Sequence, residues 1–116
     1  MQQNEILAGL LQEMRRGNLI LCVLAKLRQS TYGYNLIAAL AQTGIPIEAN
    51  TLYPLLRRLE SQGLLTSEWN TTDGAKPRKY YMITALGRTL LSELKAHWQQ
   101  AVHHLNMILE EQAHEN

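Results

Sequence analysis

Asn50, Thr51, Tyr53, Arg57 and Arg58 fall within one nine-residue span. Asn and Arg offer paired hydrogen bonds to base edges, Thr offers a methyl and a hydroxyl, and Arg adds a charge for phosphate. A second group, Lys76, Arg78 and Lys79, crowds four positions further along the chain. These side chains suit a nucleic acid better than a substrate. Taken alone, the first span fits an ordinary surface helix equally well, and the second fits a solvated hairpin tip.

What positions the first group is the stretch EANTLYPLLRRLESQGLLTSEW, Glu48 to Trp69. Leu52, Leu55, Leu56 and Leu59 recur at i, i+3, i+4 and i+7, the spacing of one helix face. The Asn, Thr and Arg residues fall mostly on the other face. Gly63 stands where a helix C-terminal glycine belongs. Pro54 places the helix start close by, with either Glu48 or Asn50 as its cap. After Gly63 the period changes from 3.6 to 2. Leu65, Ser67 and Trp69 alternate with Leu64, Thr66 and Glu68; Arg78, Tyr80 and Met82 alternate with Lys79, Tyr81 and Ile83. The polar run NTTDGAKP between them carries an Asp73–Gly74 turn signal, so a two-stranded hairpin with a basic far strand is predicted.

Upstream, Glu5 to Met14 reads as a short amphipathic helix with Leu7, Leu10, Leu11 and Met14 on one face. Leu19 to Leu27 reads as a buried helix, with Cys22 as a packing residue. Ser30 and Thr31 are candidate caps for a helix over Tyr32–Gln42, which Gly44 and Pro46 stop. Downstream, Thr84 caps a long helix to about Glu111. Leu91, Leu94, Trp98, Ala101, Leu105 and Ile108 are spaced 3, 4, 3, 4, 3, a heptad seam. So much apolar surface on a terminal helix needs a cover. The N-terminal helix of a second copy is the natural one.

The chain has 116 residues, about one domain, with a hydrophobic fraction of 46% and a net charge of +1. That small charge hides a gradient. Ten of the eleven Lys and Arg lie between Met14 and Arg88, whereas the segment beyond holds Lys95 against Glu93, Glu110, Glu111 and Glu115. A basic middle suits a polyanion. One cysteine excludes a disulfide framework, and no apolar run reaches the roughly 20 residues of a membrane span. A cytoplasmic location is expected, as is the absence of a cofactor. His97 and His104 sit two helical turns apart, about 10 Å along the axis, too far to share a metal. No HExxH, nucleophile elbow or phosphate loop appears, so an enzyme is not expected.

Three helices followed by a hairpin is the order of a winged helix-turn-helix: mainly α with a small β-hairpin, flanked by an N-terminal and a long C-terminal helix. At RRGNLILCVLAKL, TYGYNLI, NTLYPLLRRLESQGLLTSEW and KPRKYYMITALG, together most of Arg15 to Gly87, the chain resembles the PadR-like family of bacterial transcription regulators. The TLYP-LL-RLE-GL and RKYY-T-G elements are the specific ones. The resemblance implies a homodimer on a near-palindromic operator, usually repressing, with release of double-stranded DNA by a small, often aromatic, molecule in many members. It implies a winged helix-turn-helix domain over residues 1–87 and a dimerisation helix over 88–116. It puts DNA contacts at Tyr34, Asn50, Thr51, Tyr53, Arg57, Lys76, Arg78 and Lys79. The dimer interface would hold Leu7, Leu10, Leu11, Leu91, Leu94, Trp98, Ala101, Leu105 and Ile108. Asn50 departs from the family's usual small residue. Trp98 lies where a tryptophan lines an effector pocket in some members, although interface packing is the commoner reason for an aromatic residue at such a position. The rival to DNA binding is a winged helix that recognises a protein.

Overall fold

The computed structural model describes residues 2–71 and 76–115. Helix α1, Gln2–Arg16, starts earlier and ends later than the apolar period alone suggests, and none of its residues is buried. It passes into α2, Leu19–Lys26, through a tight turn in which Asn18 N–H donates to the Arg15 carbonyl at 3.0 Å. The Asn18 carbonyl accepts from Cys22 N–H at 3.1 Å, but its side chain makes no capping bond. Helix α2 is not buried on all sides. Leu19, Val23 and Leu24 face the core, while Leu21 and Cys22 are half-buried on another side.

The expected helix from Tyr32 begins one residue later, as α3, Gly33–Gln42. Thr31 and Tyr32 are extended instead. They form a short strand, β1, so Thr31 is a strand residue rather than a cap. The helix α4, Ala49–Ser61, has Glu48 in the cap position in extended conformation, which decides between Glu48 and Asn50. Strands β2, Leu65–Asn70, and β3, Arg78–Ile83, form the expected hairpin. β3 also pairs with β1, so the sheet has three antiparallel strands in the order β1-β3-β2 rather than two. A two-residue strand has no period to read; only its pairing with Tyr80 and Tyr81 defines it. The Asp73–Gly74 turn lies outside the described residues. Helix α5, Ala85–Glu115, completes the chain.

The core is a leucine cluster at the junction of these elements: Val23, Leu24 and Leu27 from α2 and its end, Leu36 and Leu40 from α3, Leu52, Leu56 and Leu59 from α4. Leu65, Tyr81 and Ile83 close it from the sheet. Fully burying each leucine is worth roughly 1.5–3 kcal/mol. Two helix ends are stopped by the same device. Gly44 at φ +86° and Gly63 at φ +83° adopt the left-handed conformation that side chains resist. Leu64 N–H then reaches the Leu59 carbonyl at 2.9 Å and Gly63 N–H the Glu60 carbonyl at 3.0 Å. This double bond pattern turns the chain straight from α4 into β2.

Thr84 does cap α5. Its hydroxyl accepts from Gly87 N–H at 3.0 Å and donates to the Gly63 carbonyl at 2.7 Å. One side chain therefore fixes the start of α5 to the end of α4. The glycine test is direct. Gly63→Ala should destabilise the fold by about 1–2 kcal/mol, the left-handed penalty for a side chain, and lower the melting temperature by several degrees. Gly17→Ala, where an added methyl group would meet open space, should stay within about 0.5 kcal/mol. Urea and thermal denaturation of both variants measure the difference.

Candidate nucleic-acid interface

The buried leucines of α4 fix what its other face can offer. Asn50, Thr51, Arg57 and Arg58 are all exposed. Among the described residues, no hydrogen bond or ion pair holds the Arg57 or Arg58 side chain. Pro54 lies within the helix and has no N–H, so the Asn50 carbonyl lacks the donor that normally stands four residues on.

Tyr53 is placed differently. It is half-buried, and its ring lies against Gly33 at the start of α3. A Cβ at Gly33 would stand 2.6 Å from Tyr53 Cζ, closer than real contacts allow. Gly33 is thus what lets α3 enter against α4, and Tyr53 serves that junction first. Tyr34, the next residue, is 73% exposed. The α3 cap residue Tyr32 is extended and offers no side-chain hydrogen bond to the first turn. The first-turn amides of α3 therefore receive no bond from the cap side chain.

The sheet divides the basic residues between its faces. Directly paired residues share a face, so Leu65–Ile83, Ser67–Tyr81 and Trp69–Lys79 point one way. Glu68–Tyr80 and Asn70–Arg78 point the other. Arg78 lies on the outer face with its guanidinium carbon 4.6 Å from the centroid of the Tyr32 ring, which meets Tyr80 edge-on at 5.3 Å. Lys79 lies on the inner face, half-buried, with its ammonium 3.5 Å from Glu60 Oε1 of α4. Lys76 is exposed in the connection. Arg78, Lys76, Tyr34 and the α4 side chains therefore present charge and hydrogen-bonding groups outward, whereas Lys79 and Tyr53 are engaged inside the domain. Sequence reasoning missed Gly33, Glu60 and Ser67. The strand period did contain the Lys79 placement, because adjacent strand residues cannot serve one surface.

Away from these residues, a groove of about 730 Å³ runs between α2 and α5. Leu21, Cys22, Leu91 and Trp98 line it, with Arg28, Arg88 and Lys95 also around it. Burial pushes the Cys22 thiol above its ordinary range, with Lys26 opposing the shift. A neutral thiol packs well and attacks poorly. Among the described residues, no cluster of His, Cys, Asp or Glu could hold a metal ion, and no helix is long and apolar enough to cross a membrane.

This arrangement has close counterparts. The model of the transcriptional regulator PadR-like family matches residues 20–93. The crystal structure of a PadR family transcriptional regulator from Eggerthella lenta is 50% identical and superposes with a TM-score of 0.91, over 95% of this chain and 97% of that one. A PadR-like transcriptional regulator from Bacillus cereus is 31% identical, with a TM-score of 0.73, over 84% of this chain and 96% of its own. A transcriptional regulator of Mycobacterium tuberculosis is 42% identical over 62 residues, 53% of this chain and 57% of that protein. Since the match runs from α2 through both strands of the hairpin into α5, the chain belongs to the PadR-like family of transcriptional regulators, DNA-binding proteins rather than enzymes.

Proposed function

We propose that the chain is a homodimeric repressor that reads a near-palindromic operator through α4 and is released by a small aromatic effector. The observation that carries the reading is the outer face of α4: Asn50, Thr51, Arg57 and Arg58 are exposed, and the two arginines have no partner within the described residues. Asn50, Thr51 and Arg57 would contact bases, with Lys76, Arg78 and the start of α3 at Tyr34 on the backbone. Tyr53 and Lys79 would contribute by what they hold in place. Residues 1–87 would form the DNA-binding domain and 88–116 the dimerisation helix.

Dimerisation is supported by apolar surface that one chain leaves uncovered. Leu7 and Leu10 of α1 are 54% and 53% exposed, and Leu105 and Ile108 of α5 are 57% and 55% exposed. Leu94 and Trp98 are also exposed, and Ala101 lies on the same stripe, while Leu11 and Leu91 are half-buried. Leu91 reaches the core of its own chain. A two-fold axis that laid α1 of one subunit on α5 of the other would cover both stripes. It would also set two α4 helices about one DNA turn apart, roughly 34 Å, or a multiple of it.

The effector reading rests on the groove beside Trp98. Its basic surroundings favour an aromatic carboxylate over a planar cation.

Four measurements test these statements. Arg57→Ala should weaken operator binding by about 1–3 kcal/mol and random-sequence binding much less, if Arg57 reads a base. Equal losses on both DNAs, with a shallower salt slope, would make it a phosphate contact. Unchanged affinity for both removes it from the interface. A wild-type chain whose duplex binding shows no steep negative salt dependence would be a protein-interaction module instead. Ending the chain after Ala96 should give a monomer in sedimentation and weak operator binding, and a monomeric full-length chain at micromolar concentration rejects the dimer. In a Trp69→Phe background, phenolic acids should quench Trp98 and lower operator affinity. No response to phenolic acids or planar cations makes Trp98 a packing residue.

A further inference from the structure

Glu60, in the last turn of α4, touches both strands of the hairpin. Its Oε1 stands 3.5 Å from Lys79 Nζ on β3, and its Oε2 accepts a hydrogen bond from the Ser67 hydroxyl on β2. The same ammonium lies 5.3 Å from the Tyr81 ring centroid and 6.0 Å from that of Trp69. Ser67, Trp69, Lys79 and Tyr81 all point to the inner face of the sheet. Among the described residues, this is the one ion pair.

We propose that Glu60 and Lys79 are positioning residues: they set the angle between the wing and α4, and Lys79 does not bind phosphate. The inference rests on the reading that α4 and the wing grip one duplex together. Its logic is a matter of sign. A carboxylate at the end of a DNA-reading helix repels phosphate, so by charge alone its removal should tighten binding. If Glu60 holds the wing at the angle that suits the duplex, its removal should weaken binding instead. Lys79 gives a second sign. Removing a phosphate-binding charge from the wing flattens the salt slope by about 0.9 units, whereas removing a positioning residue lowers affinity at constant slope.

The test uses the full-length chain carrying Glu60→Gln, Lys79→Met, or the exchange Glu60→Lys with Lys79→Glu. Duplex affinity is measured across a salt series. Acrylamide quenching of Trp69 is measured without DNA in a Trp98→Phe background, where Trp69 is the remaining tryptophan. Glu60→Gln and Lys79→Met should each weaken binding about two- to fivefold, the range of a partly exposed ion pair, with the wild-type slope retained. Trp69 should quench more readily in both, and the exchange should recover at least half of the loss on a logarithmic scale.

Tighter or unchanged binding by Glu60→Gln overturns the proposal, as does a slope about one unit shallower in Lys79→Met. Quenching that does not move in Glu60→Gln overturns it as well. If the wild-type chain binds no duplex, the DNA reading itself falls. The quenching comparison then decides by itself whether Glu60 holds the wing.

Discussion

Everything that α4 offers on its exposed side depends on its leucine stripe. Leu52, Leu56 and Leu59 are at most 1% exposed, and each contributes on the scale of roughly 1.5–3 kcal/mol. Against a net stability of about 5–15 kcal/mol for a domain, that stripe cannot rotate out of the core. The rotation of α4 about its axis is thereby fixed, and with it the direction in which Asn50, Thr51, Arg57 and Arg58 point. These exposed side chains need no hydrogen bonds of their own to be held outward. Residues on that face can thus be exchanged at little cost to folding.

Much of this was legible in the chain because it depends on period. The helix faces, the glycine stop after α4, the threonine cap of α5 and the hairpin all follow from local spacing, and the structure has each of them. What escaped was set by contacts between distant residues. β1 exists through its pairing with Tyr80 and Tyr81, more than 45 positions away. Gly33 looks like a poor helix residue until the Tyr53 ring occupies the space its side chain would need. Glu60 looks like one more surface acid until Ser67 and Lys79 converge on it. The strand period separates Arg78 from Lys79, but only distant contacts show that one meets Tyr32 and the other Glu60.

The charges of the wing show why composition overstates an interface. Three basic residues in four positions look like one patch. The strand pleat sends Arg78 and Lys79 to opposite faces, where one stacks on Tyr32 and the other neutralises Glu60. Only part of the formal charge therefore faces outward unpaired, and part is matched by a carboxylate of the same chain.

The root of α5 has a mechanical consequence. Ile83 N–H donates to the Leu27 carbonyl at 2.9 Å, and Thr84 N–H to the Leu64 carbonyl at 3.0 Å. A side chain at Gly87 would collide with Ile83, whose Cγ1 lies 2.6 Å from where its Cβ would be. The long helix is thus anchored to the end of α2, the turn between α4 and β2, and β3 within five residues. It acts as a lever arm with a welded hinge. Because α5 is 31 residues long, about 46 Å at 1.5 Å per residue, a small angular change at this joint becomes a large displacement at its far end.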